Sequence, residues 1–321
     1  MNSKNSQRGI ALLIALVVLA IAATLSTAMI WDRELDIRRF ANIKQGDQAL
    51  EYALGAEAWA EQILRRDYQS NPNNTNLSQD WAMQLPSLPV EGGSITGQLE
   101  DLQGLFNVNN LASSNVAQAN AALAQFQRLL VALNLDPEIA NAVRDWVNAG
   151  DQPTQPGGAK DEFYSQLAPP YLTAEQPMTS ISELLLVKGI TPQIYAALLP
   201  DICALPMLAP GSPPATPMIP TSVNINTAPA LVIASLNAGI TGSAAEAAVQ
   251  TRTQQPYQSQ NDLTRLLNIG PAAGVPTTLT SNYFRLSVQV KIGTTEITLY
   301  SLLFRTSNGA TIAIRRTFGT L

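Results

Sequence analysis

The sequence predicts an α+β protein in which a long N-terminal helix lies on an antiparallel sheet and a large all-α domain is inserted between strands. Three observations predict it. Residues 10–30 carry no charge, and no proline follows until Pro72, so one helix can run well past the apolar segment. Strand-like patterns fill two separated regions, 91–111 and 281–321. The stretch between them, 112–280, is alanine-rich and divides into short helical patterns.

Taken in order, residues 10–30 would span about 30 Å as a helix, the thickness of a bilayer's hydrocarbon core. Lys4 and Arg8 precede the run and no acid does, which places the N-terminus in the cytoplasm and the bulk of the chain outside. Ile43, Leu50, Ala53, Ala56, Ala60 and Ile63 then form one apolar stripe, so the helix continues to about residue 68. Turn formers at 70–76 end it. Residues 94–102 and 105–108 read as strands about a turn at Gln103-Gly104. Helices are predicted over 115–133, 136–147, 180–187, 192–199, 228–236 and 243–251, with Pro137, Pro192 and Pro229 at the start of three of them. Seven prolines from Pro200 to Pro220 predict an extended connection. Residues 283–290, 296–304 and 310–316 read as strands, joined by turns at Gly293 and Asn308-Gly309. Phe106-Asn107-Val108-Asn109-Asn110 echoes Val223-Asn224-Ile225-Asn226-Thr227, either as a genuine repeat with Asn side chains at strand-to-helix turns or as coincidence in an Ala/Asn-rich chain.

The chain has 321 residues, a net charge of −5 and no histidine. Histidine acid–base chemistry and histidine metal sites are excluded, and no nucleophile–base pairing or phosphate-cradling glycine loop emerges, so an enzyme is not expected. Cys203 is the single cysteine and is expected to be buried rather than bonded to another chain. Residues 181–199 and 230–251 look like helix-hairpin-helix units, a form that often holds DNA phosphate. Here the chain is acidic and only Lys188 stands near a turn, so no nucleic acid is expected and a protein-binding surface is expected instead. Asp145, Asn148, Asp151, Asp161 and Glu162 surround the Gly/Pro-rich segment 152–158. Such oxygens on a flexible loop suit calcium, the one candidate cofactor, and equally suit an ordinary polar loop.

The junction Gln7-Arg8-Gly9, followed without a spacer by the apolar run, resembles a type IV prepilin signal. That resemblance implies cutting between Gly9 and Ile10 by prepilin peptidase, with the apolar segment retained. A secretory signal cut near Ser26-Thr27-Ala28, or an uncleaved anchor, are the alternatives. With residues 101–111, Asp145-Trp146-Val147, residues 183–190 and residues 223–229, the whole chain resembles the minor pseudopilin K family of bacterial type II secretion systems. The resemblance implies a leader (1–9), a transmembrane segment (10–30), a pilin-like helix with the first strands (31–111), an inserted helical domain (112–280) and strands completing a pilin-like sheet (281–321). It implies a place at the pseudopilus tip, with minor pseudopilins I and J, and with H and the major pseudopilin, as partners. It also implies the inner membrane of a Gram-negative bacterium with the bulk in the periplasm. Ile14 stands where most pilins carry Glu, as suits a subunit with no neighbour above it. The acidic loop resembles the family's calcium-binding segment but departs at Asn148 and Lys160, where acids are usual. The alternative to a tip subunit is a membrane-anchored monomeric binding module.

Overall fold

The computed structural model describes residues 4–84, 86–213, 215–268, 270 and 275–319. Leader residues 1–3, Pro214 of the proline-rich connection, residues 271–274 of the insert and residues 320–321 of the last strand region lie outside the described residues. Helix α1 (Lys4–Ser70) is 67 residues, roughly 100 Å long. Two short strands, β1 (Leu88–Val90) and β2 (Gly93–Asp101), follow. The inserted region carries β3 (Phe106–Asn107), α2 (Val116–Ala132), α3 (Ile139–Val147), α4 (Asp161–Tyr164), α5 (Pro192–Leu198), β4 (Ile202–Cys203), β5 (Val223–Asn224), α6 (Ala230–Leu236), α7 (Gly242–Gln254), α8 (Gln260–Leu267) and β6 (Thr277–Thr278). The chain ends in β7 (Tyr283–Ile292), β8 (Thr295–Arg305) and β9 (Thr311–Phe318).

The main sheet is antiparallel in the order β1-β2-β7-β8-β9. Strand β2 pairs directly with β7, Gly93 opposite Ile292 and Asp101 opposite Phe284. An insertion of any size between two paired strands leaves their ladder intact, which is how this sheet accommodates residues 102–282. Alternate residues of β7 (Phe284, Leu286, Val288, Val290 and Ile292) face α1 and are buried. The buried face of α1 is Ala49, Ala53, Glu57, Ala60, Leu64 and Asp67. The small alanines let the helix approach the sheet closely. Of the predicted stripe, Ala53 and Ala60 lie in the buried seam, Leu50, Ala56 and Ile63 are half-buried beside it, and Ile43 is exposed. Glu57 and Asp67 sit within that seam and hide it from an apolar pattern. Glu57 is held by Ser301 and by Arg316 Nη2 at 2.7 Å. The β8–β9 turn closes on the end of α1, where Tyr68 OH donates to Ser307 O at 2.7 Å. Gly309, at φ +82°, lies so near that a Cβ there would stand 2.3 Å from the Tyr68 ring.

The insert begins earlier than predicted. Phe106, Val108 and Leu111 belong to the core of the first helical unit, so residues 102–111 are part of the insert rather than of the sheet. Several predicted elements also change. Residues 105–108 form only a two-residue strand flanked by 3₁₀ turns, and Ile181–Leu186 is 3₁₀ rather than α. Helix α3 starts at Ile139, beyond Pro137, and Pro229 is the cap of α6 rather than its first residue, so only Pro192 occupies a first-turn position. Cys203 is buried between insert and sheet, and burial pushes its thiol up.

Carboxyls enclosed at the neck of the insert set a pH dependence. Asp101 accepts from Ser281 Oγ (2.5 Å), Thr227 Oγ1 (2.6 Å), Asn224 Nδ2 (3.1 Å) and the Gln103 amide (2.9 Å), yet burial still raises it. Burial pushes Asp67 up to about 6 against the pull of Arg305, and pushes Asp201 up to about 6 as well. The folded chain then holds protons that the unfolded chain has released between about pH 4 and 6. This contribution is fully present below the ordinary carboxylate value and is lost as pH rises through about 6. The melting midpoint is therefore expected to rise when pH is lowered from about 7 to 5. A midpoint that falls over that interval would show that the pairing of Asp67 with Arg305 outweighs its burial.

Candidate functional site

Two regions carry the candidate chemistry, and the first is α1. Every residue from Ile10 to Phe40 is exposed. Within the apolar run the hydroxyls of Thr24, Ser26 and Thr27 donate to the carbonyls of Ile21, Ala22 and Ala23 at 2.8–2.9 Å, so no side-chain donor there requires water. Charges resume at Asp32, and Glu34–Arg38 and Asp36–Arg39 pair along the helix at 3.0 and 3.4 Å. Gly9 and Ile10 lie within the continuous helix, and Ile14 projects outward one turn beyond Ile10.

The second region is a loop grafted onto an internal repeat. Asn107 Oδ1 accepts from the Asn109 amide at 3.1 Å, and Asn224 Oδ1 accepts from the Asn226 amide at 3.0 Å. Asn109 grips Met178, accepting from its amide (2.7 Å) and donating to its carbonyl (2.9 Å). Asn226 grips Tyr257 in the same way, at 2.9 and 3.0 Å. A capping box follows each gripped residue, Ser180 with Glu183 and Ser259 with Asp262. Each unit closes with a parallel two-residue pair, β3 with β4 and β5 with β6. The echo in the sequence is thus a repeat of fold as well as of letters. The units differ between α3 and Met178, where residues 148–177 occupy the place that residues 255–256 take between α7 and Tyr257. All the predicted calcium residues lie in or beside that extra loop.

The loop does not assemble their side chains around one point. Asp145, in α3, directs its carboxylate to Thr154, accepting from the amide at 2.8 Å and from Oγ1 at 2.6 Å. Asn148 caps α3 and donates through Nδ2 to the carbonyls of Leu111 (3.0 Å) and Arg144 (2.9 Å). Asp161 opens α4 and turns to Thr173, accepting from Oγ1 (2.6 Å) and the amide (2.8 Å); those bonds hold its carboxyl below the usual range. Asp151 and Glu162 are exposed. Gly158 packs so tightly that a Cβ would stand 2.2 Å from Asp145 Oδ2. What converges instead is main chain: the carbonyls of Asp145 and Asn148 meet the ammonium of buried Lys160, the former at 2.7 Å. Among the described residues no three or more Asp, Glu, Cys or His side chains gather as a metal site. The side chains of the five residues expected to hold calcium therefore do not fit one ion in this arrangement. Sequence reasoning missed Thr154, Thr173 and Glu175, which hold the loop; no local pattern distinguishes them from other loop residues. Lys188, the cation near the first hairpin turn, is taken up internally, with Nζ 3.3 Å from Gly158 O and 5.1 Å from the Phe163 ring centre.

Comparison with known proteins agrees with this organisation. Models of type II secretion system protein K match residues 104–207 and 223–282, which correspond to the two repeat units. The chain is 30% identical to type II secretion system protein K of Aeromonas hydrophila, over 99% of each chain. It is 37% identical to the protein of the same name from Pectobacterium carotovorum subsp. carotovorum, over 94% of this chain and 93% of that one. In fold it resembles a chain in the crystal structure of the GspK-GspI-GspJ complex from the enterotoxigenic Escherichia coli type 2 secretion system, with a TM-score of 0.76 at 24% identity, covering 88% of this chain and 100% of that one. With relatives of this identity matched from end to end, the chain belongs to the type II secretion system protein K family.

Proposed function

We propose that this chain is a minor pseudopilin at the tip of the type II secretion pseudopilus. It is inserted in the inner membrane, trimmed between Gly9 and Ile10 by prepilin peptidase, and assembled with minor pseudopilins I and J to initiate or cap the filament during export across the outer membrane. Minor pseudopilin H and the major pseudopilin are further partners, and the globular bulk lies in the periplasm.

The observation that carries this reading is the division of α1. Its distal half is buried on a sheet, while its apolar half, from Ile10, is exposed along its whole length. Such a rod is matched to a bilayer first and to a bundle of like helices afterwards. Ile14 leaves no buried carboxylate seeking an ammonium from a subunit above. The insert at residues 102–282 adds bulk that stacked subunits could not accommodate between them. The solved complex that the fold resembles contains GspI and GspJ beside GspK.

The test is N-terminal sequencing of the membrane-embedded protein from secreting cells, with co-purification of pseudopilins I and J in detergent. Ile10 as first residue and recovery of both partners are expected. Met1 as first residue in a working apparatus, with no partner recovered, would favour a monomeric anchored module.

A further inference from the structure

We propose that the ammonium of Lys160 takes the place of a metal ion at the C-terminal end of α3, so that the loop over residues 148–177 is held closed without calcium. This rests on the loop's geometry and is independent of the chain's position in a filament.

A helix ends with carbonyls that have no partner in the helix, at the negative end of its dipole. In α3 three of those carbonyls, and that of the capping residue Asn148, are taken up within the loop. Arg144 O accepts from the amide and side chain of Asn148, at 3.2 and 2.9 Å. Trp146 O accepts from the Glu175 amide at 2.9 Å. Asp145 O and Asn148 O both accept from Lys160 Nζ. Glu175 Oε1 stands 4.0 Å from the same nitrogen and supplies the compensating charge. Lys160 is only 5% exposed, so its stem is enclosed and its head is fixed against main-chain oxygen.

A compact cation bound by backbone carbonyls beside a carboxylate is what a calcium ion would present at this point. The ammonium already holds the converging carbonyls. The side chains that would complete a six- to eight-oxygen shell are engaged elsewhere, Asp145 with Thr154 and Asp161 with Thr173. A divalent ion entering here would meet a buried positive charge at close range and would have to displace it. The equivalent junction of the second repeat, residues 255–256, has no loop to hold, and the buried cation in the last turn of α7, Arg252, donates instead to Ile225 O in its own unit at 2.7 Å. Lys160 thus serves the extra loop specifically.

The experiment uses the full chain in detergent. Its melting midpoint is measured in calcium and in chelator, and terbium is added to detect a calcium site by emission sensitised through Trp146. The midpoint is expected to stay within about 1 °C between the two conditions, with no terbium emission that calcium competes away, whereas a site at a hundredfold excess of ligand over Kd would shift it by about 5–10 °C. Lys160→Glu removes the cation and adds a ligand; it is expected to become calcium-dependent, with a rise of that size on adding calcium. A wild-type midpoint that drops several degrees in chelator, or calcium-competed terbium emission from wild type, overturns the proposal. So does a folded Lys160→Glu chain indifferent to calcium. If Lys160→Glu folds in neither condition, the wild-type measurements alone decide.

Discussion

Asn109→Ala is expected to destabilise the chain by about 3–5 kcal/mol, because it strands two buried main-chain groups at once, each worth about 1–3 kcal/mol when left unpaired. Asn109 is fully buried. Its oxygen is the acceptor for the Met178 amide, and its nitrogen donates to the carbonyls of Met178 and Leu205. The Leu205 carbonyl keeps Asn107 as a second donor at 3.2 Å, so it is not orphaned; among the described residues no other group bonds the Met178 amide or carbonyl. Met178 precedes the capping box at Ser180, and loss of the grip should also fray Ile181–Leu186. Asn109→Asp should not rescue stability, since it retains an acceptor for the amide but turns a carboxylate toward two carbonyls. Asn226→Ala is expected to cost less, about 1–3 kcal/mol, because the Tyr257 carbonyl keeps Asn74 Nδ2 as a donor at 2.8 Å and only the Tyr257 amide is stranded; the pair is thus a test of the repeat itself. Unfolding of each variant followed by tryptophan fluorescence measures the loss, and amide exchange at Met178 or Tyr257 locates it. A loss below about 1 kcal/mol in both would mean that the repeat is a likeness of shape without shared energetics.

Arg305→Ala is expected to cost a similar amount, about 3–5 kcal/mol, by leaving a buried carboxylate without its cation. Arg305 is 2% exposed and lies between the rings of Tyr68 and Phe284, 5.3 and 5.0 Å from their centres. Its Nη2 donates to Thr75 Oγ1 (2.8 Å) and Ser281 O (2.6 Å), tying the turn after α1 to the strand that leaves the insert. Its Nη1 faces Asp67 Oδ2 at 3.7 Å, and both of those atoms lack a hydrogen-bond partner. So loose a pair returns little of the cost of enclosing two charges. The double variant Asp67→Leu/Arg305→Met should therefore recover most of the loss, while either single change does not. Additive losses in that cycle would show that the rings and Thr75, rather than Asp67, account for the arginine's contribution.

Elements whose signals are local can be read from neighbouring residues alone. An uncharged run with no proline after it makes α1. Alternation in residues 283–316, with Gly293 and Asn308-Gly309 as punctuation, makes the three C-terminal strands. The two Asn motifs mark the repeat because each asparagine first bonds the backbone two residues on. Cys203 is buried as its apolar neighbours imply. The remaining features depend on contacts between distant parts of the chain. Glu57 and Asp67 are charged residues in the buried seam of α1, and they can be there only because Ser301, Arg316 and Arg305, more than two hundred residues away, arrive to meet them. Residues 102–111 join the insert because Phe106 stacks on Phe126 at 5.1 Å. The acidic loop gathers backbone carbonyls around Lys160, rather than carboxylates around an ion, because Thr154 and Thr173 claim the acids first. Helix and strand periods are written in neighbouring residues. A buried charge is decided by which distant partner the fold carries to it, and no local pattern records that partner.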